Sequence, residues 1–180
     1  GTGKIVGHHS NTHILGWYLE LCTKQDGAEQ IVWVRFPEVG LTPNATASES
    51  VVVLSVRDSS FRLDDLTVVT WNEDTLKPVK LRIQGELSAA SPESTSEDFD
   101  LSSRSRTTAS VEWDITDPPI EHGYVVTPDL SSIVTEVIGL PGWSQNNPIA
   151  FIFTHISGDG HRLLEAQGRY SGELQVTLPP

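Results

Sequence analysis

Five tryptophans, Trp17, Trp33, Trp71, Trp113 and Trp143, are the side chains here whose chemistry best suits ligand binding. An indole offers a flat apolar face that stacks on the apolar face of a pyranose ring, and exposed aromatics on a β-scaffold hold sugars in this way. Their positions differ in meaning. Trp33 and Trp113 fall at alternating positions of strand-like runs and read as core, while Trp143 follows Pro141-Gly142 and reads as a plug holding a helix onto a sheet. Trp71, ahead of Asn72, Glu73, Asp74 and Thr75, and Trp17, near the start, are the two expected to reach solvent as ligand platforms.

Acidic residues form the second group. Glu97, Asp98 and Asp100 lie together on one expected loop, and Asn72, Glu73 and Asp74 on another. Calcium takes about six to eight oxygens at roughly 2.3–2.6 Å, and loops with closely spaced acids supply several of them. Neither cluster has EF-hand spacing, so a solvated acidic loop is the plainer reading. The sharper reading is a structural calcium at Glu97, Asp98 and Asp100. His8, His9 and His13 have a spacing open to a transition metal, but no cysteine or carboxylate is adjacent and the segment reads as a polar lead-in. His155, in an apolar run, reads as a hydrogen-bonded core or edge histidine.

Asn44-Ala45-Thr46 is an N-glycosylation sequon on an expected loop, where a glycan would accompany secretion. Catalytic signatures are missing: there is no nucleophile elbow, no His-Glu-x-x-His and no phosphate-cradling glycine loop. The expectation is that the chain is not an enzyme. Cys22 is the one cysteine, so no intrachain disulfide staples the fold, and it reads as a small buried hydrophobe.

The elements that must position these residues are mostly strands. Alternation or β-branched content marks runs at 14–23, 30–36, 51–57, 66–71, 79–85, 109–115, 148–155, 161–167 and 173–178, with 148–155 the most apolar and central. Asp26-Gly27 is a natural turn pair between the first two. One amphipathic helix is written at about 128–139. Thr127 is placed to cap it, Pro128 suits its first position, and Asp129 lies where the dipole favours an anion. Leu130, Ile133, Val134, Val137 and Ile138 then make one apolar face, and Gly139 with Pro141-Gly142 ends the run. That face must pack on the sheet carrying Ile149, Phe151 and Phe153. The connection over 86–105 is rich in serine and acid and reads as having little to bury.

Many short strands, Gly/Pro/Asp-rich connections and one helix argue an all-β fold, an antiparallel β-sandwich of jelly-roll type. A length of 180 residues suits one domain, with residues 1–12 as a polar N-terminal segment and 13–180 as the sandwich. A formal charge of −12 repels nucleic acid and anionic lipid. No run approaches the roughly 20 apolar residues of a membrane span. A chain that begins Gly-Thr-Gly and has no methionine reads as processed, or as a piece of a longer protein.

Three stretches in order, 31–46, then 79–86 through 99–104 and 107–113, then 127–138 with 141–143 and 147–154, resemble a family of β-sandwich modules of secreted and cell-surface multidomain proteins. The resemblance implies a jelly-roll, carbohydrate-binding-module-like fold and an extracellular recognition or structural role. The chain departs from that pattern in lacking an acidic turn before its first strand, so no cation site is implied there. The expectation is a non-catalytic, secreted or surface-exposed recognition module whose partner is a glycan. The alternative is a structural or assembly subunit whose partners are neighbouring protein subunits.

Overall fold

The computed structural model describes residues 4–9, 12–14, 18–22, 30–56, 60–62, 68–70, 77–95, 100–117, 123–165 and 172–179. Its strands are β1 (Lys4–His9), β2 (Thr12–Ile14), β3 (Tyr18–Cys22), β4 (Gln30–Phe36), β5 (Glu49–Ser55), β6 (Ser60–Arg62), β7 (Val68–Thr70) and β8 (Val79–Glu86). They continue as β9 (Arg106–Ile115), β10 (Tyr124–Val126), β11 (Ile149–Ser157), β12 (His161–Glu165) and β13 (Glu173–Thr177). Two short helices, α1 (Asp100–Ser103) and α2 (Ser131–Ile138), join them.

The larger sheet has six strands in the order β2-β1-β4-β11-β8-β9, every pairing antiparallel. A three-stranded sheet, β10-β5-β13, faces it. β3 pairs with β12, and a single bridge between Val56 and Leu164 ties that pair to the end of β5. β6 and β7 form a separate hairpin. The chain is an all-β antiparallel sandwich.

Period-two alternation decides which side chains meet. Val32, Val34 and Phe36 of β4, Val79, Leu81 and Ile83 of β8, and Ile149, Phe151 and Phe153 of β11 turn inward. Val52, Leu54, Val56 and Leu174 of the second layer meet them, and Phe36 and Phe151 pack edge to face with centroids 6.1 Å apart. β11 is central, as its continuous apolar run requires, because both of its faces are covered.

Helix α2 seals one flank of this core. Leu130, Ile133, Val134, Val137 and Ile138 are all buried. They pack at the β8–β9 side of the larger sheet, the sheet that carries Ile149, Phe151 and Phe153, over Gly85. A β-carbon at Gly85 would stand 2.7 Å from Ile133 Cγ2 and 3.1 Å from Val137 Cγ2. The glycine is what allows the helix to approach. Trp143 fastens the chain beyond α2, its indole N–H donating to the Leu41 carbonyl at 3.0 Å.

Several details differ from the sequence reading. The helix is shorter than 128–139, because 127–130 runs along β5 instead. The Thr127 amide donates to the Val52 carbonyl, Thr127 Oγ1 accepts the Val52 N–H, and the Leu130 amide donates to the Ser50 carbonyl. Thr127 is therefore a sheet residue rather than a cap. Asp129 accepts both the N–H and the hydroxyl of Ser131 at the helix start, while the N-cap position is Leu130. Within residues 1–12, Lys4–His9 is not a lead-in but strand β1, paired along its length with β4. β3 joins β12 in the other layer rather than forming a hairpin with β4.

Candidate functional site

The 86–105 connection buries more than its polar composition suggests. On the outer face of the larger sheet, Trp33, Ala150 and Ile152 are covered by Leu101 from α1. Glu86, at the end of β8, is 4% exposed. One of its carboxylate oxygens accepts from the Trp33 indole N–H at 3.0 Å, the Ser91 hydroxyl at 2.7 Å and Arg104 at 2.9 Å. Arg104 also donates to Asp100 and to the Pro92 and Glu93 carbonyls, and its guanidinium lies 4.9 Å from the Trp33 ring centroid. Burial opposes its charge, but Asp100 and Glu86 outweigh that and hold its pKa above the ordinary value. These bonds tie β4, β8 and α1 to the segment 91–93, so the cluster is a pin that clamps the connection onto the sheet.

That pin settles the placement of Asp100. Its two oxygens accept from Arg104 and from the Thr95 amide, so this carboxylate is committed to an ion pair. Glu97 and Asp98 lie outside the described residues, as do Trp17, Trp71 and the group Asn72, Glu73 and Asp74. Among the described residues no group of three or more His, Cys, Asp or Glu side chains could hold a metal ion. Asn44 sits exposed on a turn, closed by the Ala45 amide on the Thr42 carbonyl, with φ of 57°. Asparagine tolerates that left-handed backbone well. His155, near the end of the central strand β11, has Nε2 2.8 Å from the Gly158 carbonyl and so is partnered.

Arg162 is a second internal pin, and no pattern in the sequence singled it out. It is fully buried on β12 and donates to the carbonyls of Lys77, Ile115 and Asp117. Burial pushes its pKa below the ordinary guanidinium value, with Asp117 opposing. It stitches the second layer to the ends of β8 and β9.

The surface open to a ligand lies elsewhere. Trp33, Phe36, Trp113, Trp143, Phe151 and Phe153 are buried, whereas Tyr124 of β10 is 61% exposed. Val125 turns toward the core, so Tyr124 and Val126 stand on the outer face of the small sheet. Register carries that face across three strands. Tyr124 lies opposite Ser55, Val126 opposite Val53, Val53 opposite Glu173, and Val51 opposite Gln175. The result is a strip with Tyr124 at one corner beside the buried Ser55, the half-buried Val53 and Val51 between, and Glu173 and Gln175 along the far strand. Such a strip can stack an apolar ring face and accept or donate hydrogen bonds at its rim. Tyr124 escaped the sequence reading because β10 has three residues and no recognisable alternation.

No described helix is long and apolar enough to cross a membrane. No protein-family model matches the chain, and no curated protein matches its sequence. Among solved structures, a carbohydrate-binding module specific for non-crystalline cellulose aligns with 82% of this chain and 78% of its own. That alignment has 8% identity and a TM-score of 0.32.

Proposed function

We propose that this chain is a non-catalytic recognition module, secreted or displayed at a cell surface, that binds a neutral carbohydrate on the outer face of its small sheet. The observation that carries the reading is Tyr124, an exposed aromatic set on the outer sheet face beside Val126, which is itself in register through Val53 with Glu173. An oligosaccharide of a few units offers one ring an apolar face for the phenol and, further along, hydroxyls for the carboxylate and carboxamide. A formal charge of −12 favours neutral over anionic glycans.

A glycan array on the intact chain, followed by calorimetric titration of the best neutral oligosaccharide, tests this. Tyr124→Ala should weaken binding roughly five- to tenfold, the loss of one stacking contact worth about 1 kcal/mol. The variant should unfold within about 0.5 kcal/mol of the parent, since the side chain supports nothing beneath it. A folded protein that retains no glycan sinks the reading. Binding that survives in Tyr124→Ala and fails in Trp71→Ala moves the platform to Trp71.

A further inference from the structure

We propose that the open edge of β13 receives an extended segment of a partner protein, which adds to the small sheet as a fourth strand and seats an apolar side chain beside Gly40. This surface is not the face that carries Tyr124, and the inference goes beyond carbohydrate binding.

Two independent observations meet there. First, the small sheet ends at β13, and no strand of the described residues pairs with its outer side. Unpaired edges invite strand addition, and folded proteins usually guard them. The edge strand β9 is guarded, because the Glu136 carboxylate reaches from α2 to accept the amides of Thr108 and Ala109 at 2.8 and 2.7 Å. β10 and β2 are three residues long. β13 has five residues, Glu-Leu-Gln-Val-Thr, with neither proline nor lysine to deter a neighbour.

Second, the gap between the sheets at that edge is unfilled. A cavity of about 160 Å³ open to solvent is lined by Phe36, Val39, Gly40, Leu41, Leu174 and Val176. Apolar cavities near 150 Å³ hold a benzene-sized guest, so one aliphatic or aromatic side chain fits here. The loop wall is set in advance. Val39 exchanges backbone hydrogen bonds with Asn147 and Asn146, and the Leu41 carbonyl accepts the Trp143 indole. A strand beside β13 sends alternate side chains inward, toward this cavity.

Charge selects the occupant. Segments 37–49 and 172–179 contain Glu38, Glu49 and Glu173, all exposed, and neither lysine nor arginine. A partner strand with apolar residues at alternate positions and basic residues at its ends matches both features.

Gly40 offers a clean test. A β-carbon there meets nothing within 4 Å, so Gly40→Trp can fill the cavity mouth without displacing the fold. The probe is the capped peptide Lys-Val-Thr-Ile-Thr-Val-Lys, followed by calorimetry and by amide hydrogen exchange across β13. The intact chain should bind it and slow exchange over 174–177. Gly40→Trp should weaken binding at least roughly tenfold, as blocking a central anchor pocket does. Glu38→Lys, exposed two residues before Gly40, should weaken it less and flatten its salt dependence. No binding by the intact chain, or equal binding by Gly40→Trp, overturns the proposal. Self-association abolished by Gly40→Trp without peptide binding also overturns it, by assigning the edge to a second copy. None of these outcomes depends on glycan binding, which Tyr124→Ala reads separately.

Discussion

Arg104 joins several parts of this protein at one point. It neutralises Glu86, pairs with Asp100, lies against Trp33 and holds two carbonyls of the 86–105 connection. Removing one member of a buried ion pair leaves its partner charged in a poorly solvated site, at a cost of about 3–5 kcal/mol. Arg104→Met is therefore expected to lower the urea midpoint sharply, and adding Glu86→Gln should recover part of the loss. If the single variant unfolds like the parent, the pin has no energetic role. Asp129 shows a milder form of the same chemistry. The Ser50 amide, with help from Ser131, draws its pKa below the ordinary carboxylate value. A lowered carboxylate pKa adds stability above the unfolded value, and the gain fades as pH falls through the folded one.

Helix α2 shows how one element is shaped by what lies under it. Its apolar face is legible from spacing alone, but its start is decided by β5, whose Ser50 and Val52 hold 127–130 through hydrogen bonds to Thr127, Asp129 and Leu130. Its approach to the sheet depends on Gly85, and its outer side supplies Glu136 to the edge of β9. Ile133 is fully buried between these contacts. Ile133→Asp places an unpaired charge in the core and should cost several kcal/mol, about 3 or more. A thermal melt that matches the parent would mean that α2 does not pack as described. The strand connections taught a different lesson. A long polar segment such as 86–105 reads as loop, yet Leu101 and Arg104 fold it onto the sheet because Trp33, Ala150 and Ile152 present an apolar face that must be covered.

At the scale of the molecule, a six-stranded sheet faces a three-stranded one, and the mismatch is made up by α2 on one flank and β3–β12 on another. Among the described residues, Tyr124 stands exposed and no strand pairs with the outer side of β13. The difference between guarded and open edges has a measurable consequence. Glu136→Ala frees the Thr108 and Ala109 amides and should cost about 1.5 kcal/mol for each lost charge-assisted bond. It should also raise self-association in light scattering, because β9 then offers an unguarded edge. A variant that stays as dispersed as the parent would show that Glu136 serves stability alone. The −12 charge limits such association by repulsion, so the effect should grow with salt.

Composition and pattern by themselves determined the fold class, the positions of most strands, the central place of 148–155 and the apolar face of the helix. These are properties of local period, and local period is what decides which side of an element is buried. The core roles of Trp33, Trp113 and Trp143 followed from the same reasoning. Only the tertiary structure decided which strands are neighbours, since pairing between β3 and β12, or between β1 and β4, joins residues with no local signal for one another. It also decided the candidate sites. Asp100 and its neighbours read as a solvated acidic loop, but Arg104 lies four residues on and takes the Asp100 carboxylate for the fold. Tyr124 and the groove beside Gly40 are defined by what fails to cover them. Absence of a neighbour is a property of the whole packing and leaves no trace in sequence spacing.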